Sequence, residues 1–366
     1  MLAPYGNNIK LFIEGGSHDE KIEMLLDNFP KGMKIDEDSL LKFMQRRAPG
    51  NDKWSTPRKE KDMPVFLSGV KDGITTGERI HAVIYNQNQH SSDYSSVTDI
   101  PRPSHADFAA IMKYGDTVDL RGGGHYSGRL TSLMCIAGAL CRQYLKEKGI
   151  EIFAHINSIG NISDTPFDRV SPDTVMLASL DDSRFPVLND ECKEKMQGLI
   201  EEMRQEGNSV GGTIECAVTG LPIGLGEHMF AGAEGRIASI VFSIPAVKGI
   251  EFGAGFTSSQ MTGKENNDAF YYDEDIVRTK TNNCGGILGG MTNGMPLTFT
   301  AALKPTPSIA IEQDSVSLKE KKNVKLSIKG RHDPCIVPRA VPVIQAAAAI
   351  ALTDMLLDKK EAEENG

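Results

Sequence analysis

The sequence predicts an α+β protein folded as one domain, with two related halves that face each other. Three observations carry that prediction. Glycine-punctuated strands alternate with amphipathic helical stretches along all 366 residues. No low-complexity linker interrupts them, so a single domain is expected over residues 1–366. One spacing also occurs twice: Gly69, Gly73, Thr75, Gly77 and Ile80 repeat as Gly286, Gly290, Thr292, Gly294 and Leu297. Each set is followed by an arginine pair eight apart, Arg121 with Arg129 and Arg331 with Arg339, just before an alanine-containing apolar helix. Residues 65–148 and 282–358 should therefore share one order of strands and helix, with both arginine pairs at a common cleft.

Taken in order, residues 9–13 read as a short strand that breaks at Glu14-Gly15-Gly16-Ser17-His18-Asp19. A helix follows over 34–47, with Ile35, Leu40, Leu41 and Met44 on its apolar face. Arg46 and Arg47 at its exit serve equally well as dipole partners or as anion ligands. Residues 65–85 read as strand, glycine turn, strand. The polar, aperiodic segment 87–103 is a loop and a candidate lid. Ser104 is placed to cap a helix over 105–114, which would put His105 in its first turn.

The run Arg121-Gly122-Gly123-Gly124-His125-Tyr126-Ser127-Gly128-Arg129 lets backbone amides approach a ligand, though it matches neither phosphate-loop pattern. Helices are expected over 131–148 and 187–206, and strands over 150–159, 209–226 and 247–256. Near the end, Arg331, His332 and Asp333 precede prolines 334, 338 and 342 and an apolar run over 343–357. That run reads as a buried helix starting near Pro342, with Arg331, Asp333 and Arg339 clustered just before its N-terminus, a place suited to anions.

With 40 basic against 49 acidic residues, the net charge of −9 argues against a general nucleic-acid binder. An anionic ligand must therefore meet local positive charge. No segment reads as a membrane span, and residues 1–10 lack a secretory pattern, so the cytoplasm is the expected compartment. The six cysteines form no CxxC pair and are expected as free thiols, with no metal site.

Eleven segments together are specific enough to name a relative. They are MQRRAPG (44–50), LSGVKDGITTGERI (67–80), RPSHADF (102–108), YGDTVDLRGGGHYSGRLT (114–131), IEIFAHINSIG (150–160), NSVGGTIE (208–215), GLPIGLGE (220–227), SIPAVKGIEFGAGF (243–256), NNCGGILGGMTNGMP (282–296), KPTPSI (304–309) and GRHDPCIVPRAVPV (330–343). In these, and in their order, the chain resembles the chorismate synthase family. The resemblance implies a sandwich of sheet, helices and sheet, and a homotetramer. It implies a lyase that converts 5-enolpyruvylshikimate 3-phosphate to chorismate and phosphate by 1,4-elimination, using reduced FMN, with NADPH as a possible reductant.

Carried over residue by residue, His105 matches a histidine placed to protonate reduced flavin, and His18 one placed near the leaving phosphate. Asp333 matches a base at the flavin ring. Arg47, Arg129 and Arg331 match ligand-binding arginines, and Arg47 with Lys53 matches a nicotinamide-linked basic pair. His125, Tyr126, Ser127, Pro245, Ala246, Gly289, Lys304, Pro305, Thr306, Pro307, Ser308 and Arg331 align with flavin contacts. Three departures stand out: Gly16 and Asp19 replace the glutamate and the second glycine of GESHG, Ser104 replaces the glycine of RPGHAD, and His125-Tyr126 replaces Arg-Ser.

Two rival readings are weighed. A flavin- or anion-binding homologue with impaired catalysis would not need an acid and a base in one cleft, which disfavours it. A metal-dependent hydrolase built on His18, His105, His125 and His332 lacks any HxH or HxxxH pair and sits among arginines that repel cations.

Overall fold

Alternating burial along the strands builds two antiparallel sheets. The computed structural model describes residues 3–50, 54, 62–86, 99–328 and 333–365. The strand Lys21–Asp27 buries Ile22, Met24 and Leu26, the period of a sheet with one covered face. It pairs with Lys10–Glu14 on one side and Ile80–Tyr85 on the other, and Val65–Ser68 forms the far edge. The second sheet runs Val247–Phe252, Leu297–Leu303, Gly212–Thr219, Glu151–Ile159, Ile162–Ser163 in space.

Helices Glu37–Arg47, Thr131–Lys146, Ala233–Ser243 and Val337–Asn365 pack on one another as the middle layer, in one apolar core with both sheets. The sandwich expected from the resemblance is therefore observed. Within that layer Gly138 lets two helices touch, because a Cβ there would lie 2.2 Å from Ala346 Cβ and 2.4 Å from its Cα. Gly138→Val overpacks a backbone contact that cannot yield. It is expected to destabilise the fold by about 3 kcal/mol or more, read from the denaturant midpoint.

The repeated glycine spacing encodes two matching hairpins. Gly69, Gly73 and Gly77 all take φ between 74° and 85°, and Gly286, Gly290 and Gly294 between 82° and 89°, a region that side chains disfavour. In the first hairpin, Thr75 Oγ1 donates to the Pro30 carbonyl at 2.7 Å and accepts from Met33 N at 3.0 Å. In the second, Thr292 Oγ1 donates to Pro222 at 2.6 Å and accepts from Leu225 N at 2.9 Å. Each hairpin leads into a central strand and later a long buried helix, the order expected. The repeat is wider than its sequence signal, since Val65–Ser68 has its counterpart in Val247–Phe252, upstream of residue 282. An insertion carrying the hairpin Phe270–Asp273 and Ile276–Thr279 separates that strand from its glycines.

Several boundaries differ from expectation. The helix expected over 34–47 is Glu37–Arg47, capped by Asp36 accepting from Ser39 N. The strands expected over 209–226 and 247–256 end at Thr219 and Phe252. The last helix starts at Val337 rather than near Pro342, so Arg339 lies inside its first turn and not before it. Pro338 sits where no helical N–H is required. Pro342 costs one hydrogen bond, to the carbonyl of residue 338, but the run around it, from Val341 to Leu352, is buried throughout.

The stretch Val337–Asp358 is also long and apolar enough to cross a membrane, contrary to the reading of the sequence, but 89% of its apolar 18-residue window is buried inside the protein. Its far end fixes the start of the chain: Asp354 accepts from the backbone N of Asn7, Asn8 and Ile9 at 2.8–3.1 Å and pairs with Arg236 at 2.5 Å. All six cysteines are free.

Candidate active site

A cavity of about 560 Å³ opens where the two halves meet. The first half supplies Arg47, Arg102, Ser104, His105, the glycine-rich turn and Arg129; the second supplies residues 242–248, Lys304, Thr306, Pro307, Ser308, Asp333 and Arg339. Phe242, Ile244, Val247, Ile336, Ala340 and Val343 give it an apolar strip between cationic walls.

Arg47 is buried at the exit of its helix. It donates to Asp62 at 2.8 Å, to the Gly128 carbonyl at 2.7 Å and to Thr131 Oγ1 at 3.2 Å. Asp62, fully buried, also takes a guanidinium hydrogen from Arg129, whose Nε donates to Asn86 Oδ1 at 3.1 Å. Burial works to raise the Asp62 pKa, but the charges and hydrogen bonds of Arg47 and Arg129 outweigh it and hold the carboxyl below its ordinary value. Arg339 donates to Asp333 at 2.5 Å and to the Arg47 carbonyl at 3.0 Å, joining the two arginine-bearing helices across the cavity floor. Opposite, burial and the Lys248 charge pull the Lys304 amine down, and its Nζ donates to the Ser104 carbonyl.

His105 does not lie in a helix. Ser104 adopts φ 59° and makes no cap, so the helix begins two residues later as Asp107–Tyr114, with Ala106 at its N-cap. The reason is Asp107, whose carboxylate accepts from Arg102 N, Nε and Nη2 and ties the preceding turn to the helix start. Asp107 also lies 2.6 Å from His105 Nδ1. Burial raises its pKa, but Arg102 and His105 reverse that and bring it down to about 2.

His18 is buried just behind the cavity wall. A Cβ on Gly122, which takes φ 57°, would lie 2.1 Å from His18 Cε1, so only glycine fits over the ring. Ser17 Oγ donates to the Arg121 carbonyl at 3.1 Å, which leaves its lone pairs for His18 Nδ1 at 3.0 Å. Asp19 turns its carboxylate back onto Gly16 N at 2.6 Å. His125 Nδ1 donates to the Gly15 carbonyl at 2.7 Å, tying the two turns together.

Thus Arg47, His105, His125, Tyr126, Ser127, Arg129, Pro245, Ala246, Lys304, Thr306, Pro307, Ser308 and Asp333 share one cavity. His18, Gly289 and Pro305 are not among its lining residues, and neither is Arg121, which pairs with Asp119 instead, so of the two arginine pairs expected at one cleft only Arg129 and Arg339 line it among the described residues. Gly289 sits in the exposed turn of the second hairpin. Lys53, Arg331, His332 and most of the expected lid, 87–98, lie outside the described residues. Reading the sequence missed Arg102, Asp107, Asp62 and Lys248 as site residues. The charged pair flanking His105 within RPSHADF was the available signal for the first two.

The cavity wall holds an unmet polar group that a bound cofactor could satisfy: Thr306 Oγ1 is buried there with no partner among the described residues. A buried hydroxyl of that kind costs free energy until a ligand meets it.

The comparisons agree with this geometry. The family model described as chorismate synthase matches residues 9–357. A chorismate synthase of Lancefieldella parvula is 42% identical, covering 100% of this chain and 99% of its own. One of Dehalococcoides mccartyi is 43% identical, covering 94% and 93%. A solved crystal structure of chorismate synthase, 28% identical, superposes with a TM-score of 0.77 over 97% of this chain and 93% of the other.

Proposed function

The chain belongs to the chorismate synthase family of lyases, and from that premise we propose that it eliminates phosphate from 5-enolpyruvylshikimate 3-phosphate to give chorismate, with reduced FMN bound in the cavity. The observation that carries the reading is the meeting of three cationic side chains, a histidine and a carboxylate in one cavity: Arg47, Arg129, Arg339, His105 and Asp333. A substrate with two carboxylates and a phosphate needs fixed guanidiniums, and the net acidic chain concentrates them here.

Ser127, Ala246, Lys304 and Thr306 would hold the flavin, against the apolar strip. When bound, reduced FMN supplies transient electron donation to the substrate ring. The protein's own work is positional and protonic. Arg47 and Arg129 hold the anionic groups, and the apolar strip excludes water, so their charges act at lower screening. Asp333, oriented by Arg339, is the base. His105 takes up and returns its proton at Nε2, the nitrogen not engaged by Asp107. His18, which the family likeness puts near the leaving phosphate, stands behind the Gly122 turn rather than in the cavity lining, and its ring is seated by Ser17 Oγ and by Gly122 packed over it. On the same family likeness we propose NADPH as a possible reductant, a homotetramer and a cytoplasmic location.

The test is anaerobic phosphate release from the substrate with photoreduced FMN. Release that depends on reduced flavin supports the reading; flavin and substrate binding without release would replace it with an impaired homologue.

A further inference from the structure

Asp107 has more to do than begin a helix. Its Oδ2 is taken by Arg102 Nε at 2.6 Å and Arg102 N at 3.1 Å, and its Oδ1 by Arg102 Nη2 at 2.8 Å. Those three donors already neutralise a carboxylate that is wholly buried. Yet Oδ1 also lies 2.6 Å from His105 Nδ1, the shortest contact of the imidazole. We infer that Asp107 is the positioning residue for His105, holding the ring in its Nδ1–H tautomer so that Nε2 faces the cavity.

Two arrangements compete for Nδ1. Arg102 Nη2 lies 3.1 Å away and could donate to an unprotonated Nδ1. That would set the nitrogen lone pair against a carboxylate oxygen at 2.6 Å, a repulsion at the closest contact. With the hydrogen on Nδ1, the close contact becomes a charge-assisted hydrogen bond. The longer Arg102 contact is then merely unproductive, and that guanidinium already has Asp107 and, through Nη1 at 3.3 Å, Ser308 Oγ. The second arrangement wins.

Its consequence is at the other nitrogen. Nε2 lies on the side of the glycine-rich turn, where a Cβ on Gly123 would stand 3.6 Å from it, and His105 is itself a lining residue of the cavity. An imidazole with Nδ1 committed can take and return a proton only through Nε2. Arg102 keeps the carboxylate from rotating away, so the orientation of His105 is fixed by a buried carboxylate that does not itself line the cavity. This inference rests on the role given to His105 above.

The test is ¹⁵N side-chain NMR of the full-length protein, with His105 signals identified by their loss in His105→Gln. In the wild type the neutral ring is expected as Nδ1–H. A neutral ring found as Nε2–H overturns the inference with no variant needed. In Asp107→Asn, Arg102 retains the amide oxygen, the amide NH2 faces Nδ1, and the ring should switch to Nε2–H. Turnover should fall about 10²–10⁴-fold with KM for substrate little changed. An unchanged tautomer in that variant, or an unchanged turnover despite a switched one, overturns the positioning role. A wild type that releases no phosphate overturns the functional reading instead, and the tautomer still judges Asp107.

Discussion

Asp333→Asn is expected to bind FMN and substrate as the wild type does while turning over about 10²–10⁴-fold more slowly. The substitution keeps the size of the side chain and an oxygen for Arg339, which now sits 2.5 Å from the carboxylate. What it removes is the capacity to take up a proton. Arg339 is anchored independently on the Arg47 carbonyl at 3.0 Å, so the cavity floor should stay in place. Single-turnover phosphate release with saturating reduced FMN gives the rate, and flavin quenching gives the affinity. Near-wild-type turnover would move the base to another residue; lost affinity would make Asp333 a binding group.

The largest expected stability effect is at Asp62. Asp62→Ala removes a carboxylate shared by Arg47 and Arg129, leaving two guanidiniums close together and largely dehydrated. Breaking a buried pair by deleting one partner costs about 3–5 kcal/mol. The effect has a pH signature whose sign follows from the depressed pKa. A carboxylate held below its ordinary value of 3.8 contributes its full stability above that value and loses it as pH falls through the folded-state pKa. The gap between wild type and variant should be full near about pH 6 and narrow below about pH 4. Sulfate should partly restore the variant, since an added anion can stand where the carboxylate stood. A denaturant midpoint unchanged at neutral pH would mean the arginines are solvated and the pairing idle.

Much of this was legible from residues because some positions admit one solution. Gly69 and Gly286 each open a turn with φ near 80°, and the same spacing therefore had to build the same hairpin twice. Leu40 and Met44, with Ile35 just before them, marked a buried helix face that the structure keeps. What stayed hidden depends on distant partners. Asp62 closes a polar run that reads as surface, and only the folded chain brings Arg47 and Arg129 to it. Asp107 looks like an ordinary first-turn acid until Arg102 folds back on it. The prolines at 338 and 342 misled in the opposite direction: one fits the first helical turn, and burial along the rest of the helix outweighs the hydrogen bond lost at the other.

The grip of Asp354 on residues 7–9 sets a schedule for biosynthesis. A ribosome makes the strands that hold residues 10–27 well before their anchor, and the helix that covers much of the core follows hundreds of residues later. Contacts joining positions some 345 apart cannot form before that helix has been made. Until then the helical layer between the sheets lacks its longest member and leaves apolar surface open, the condition under which chaperone capture competes with aggregation. Closure of the core thus waits on the helix that carries Asp354, and a chain stalled before that helix should show no turnover.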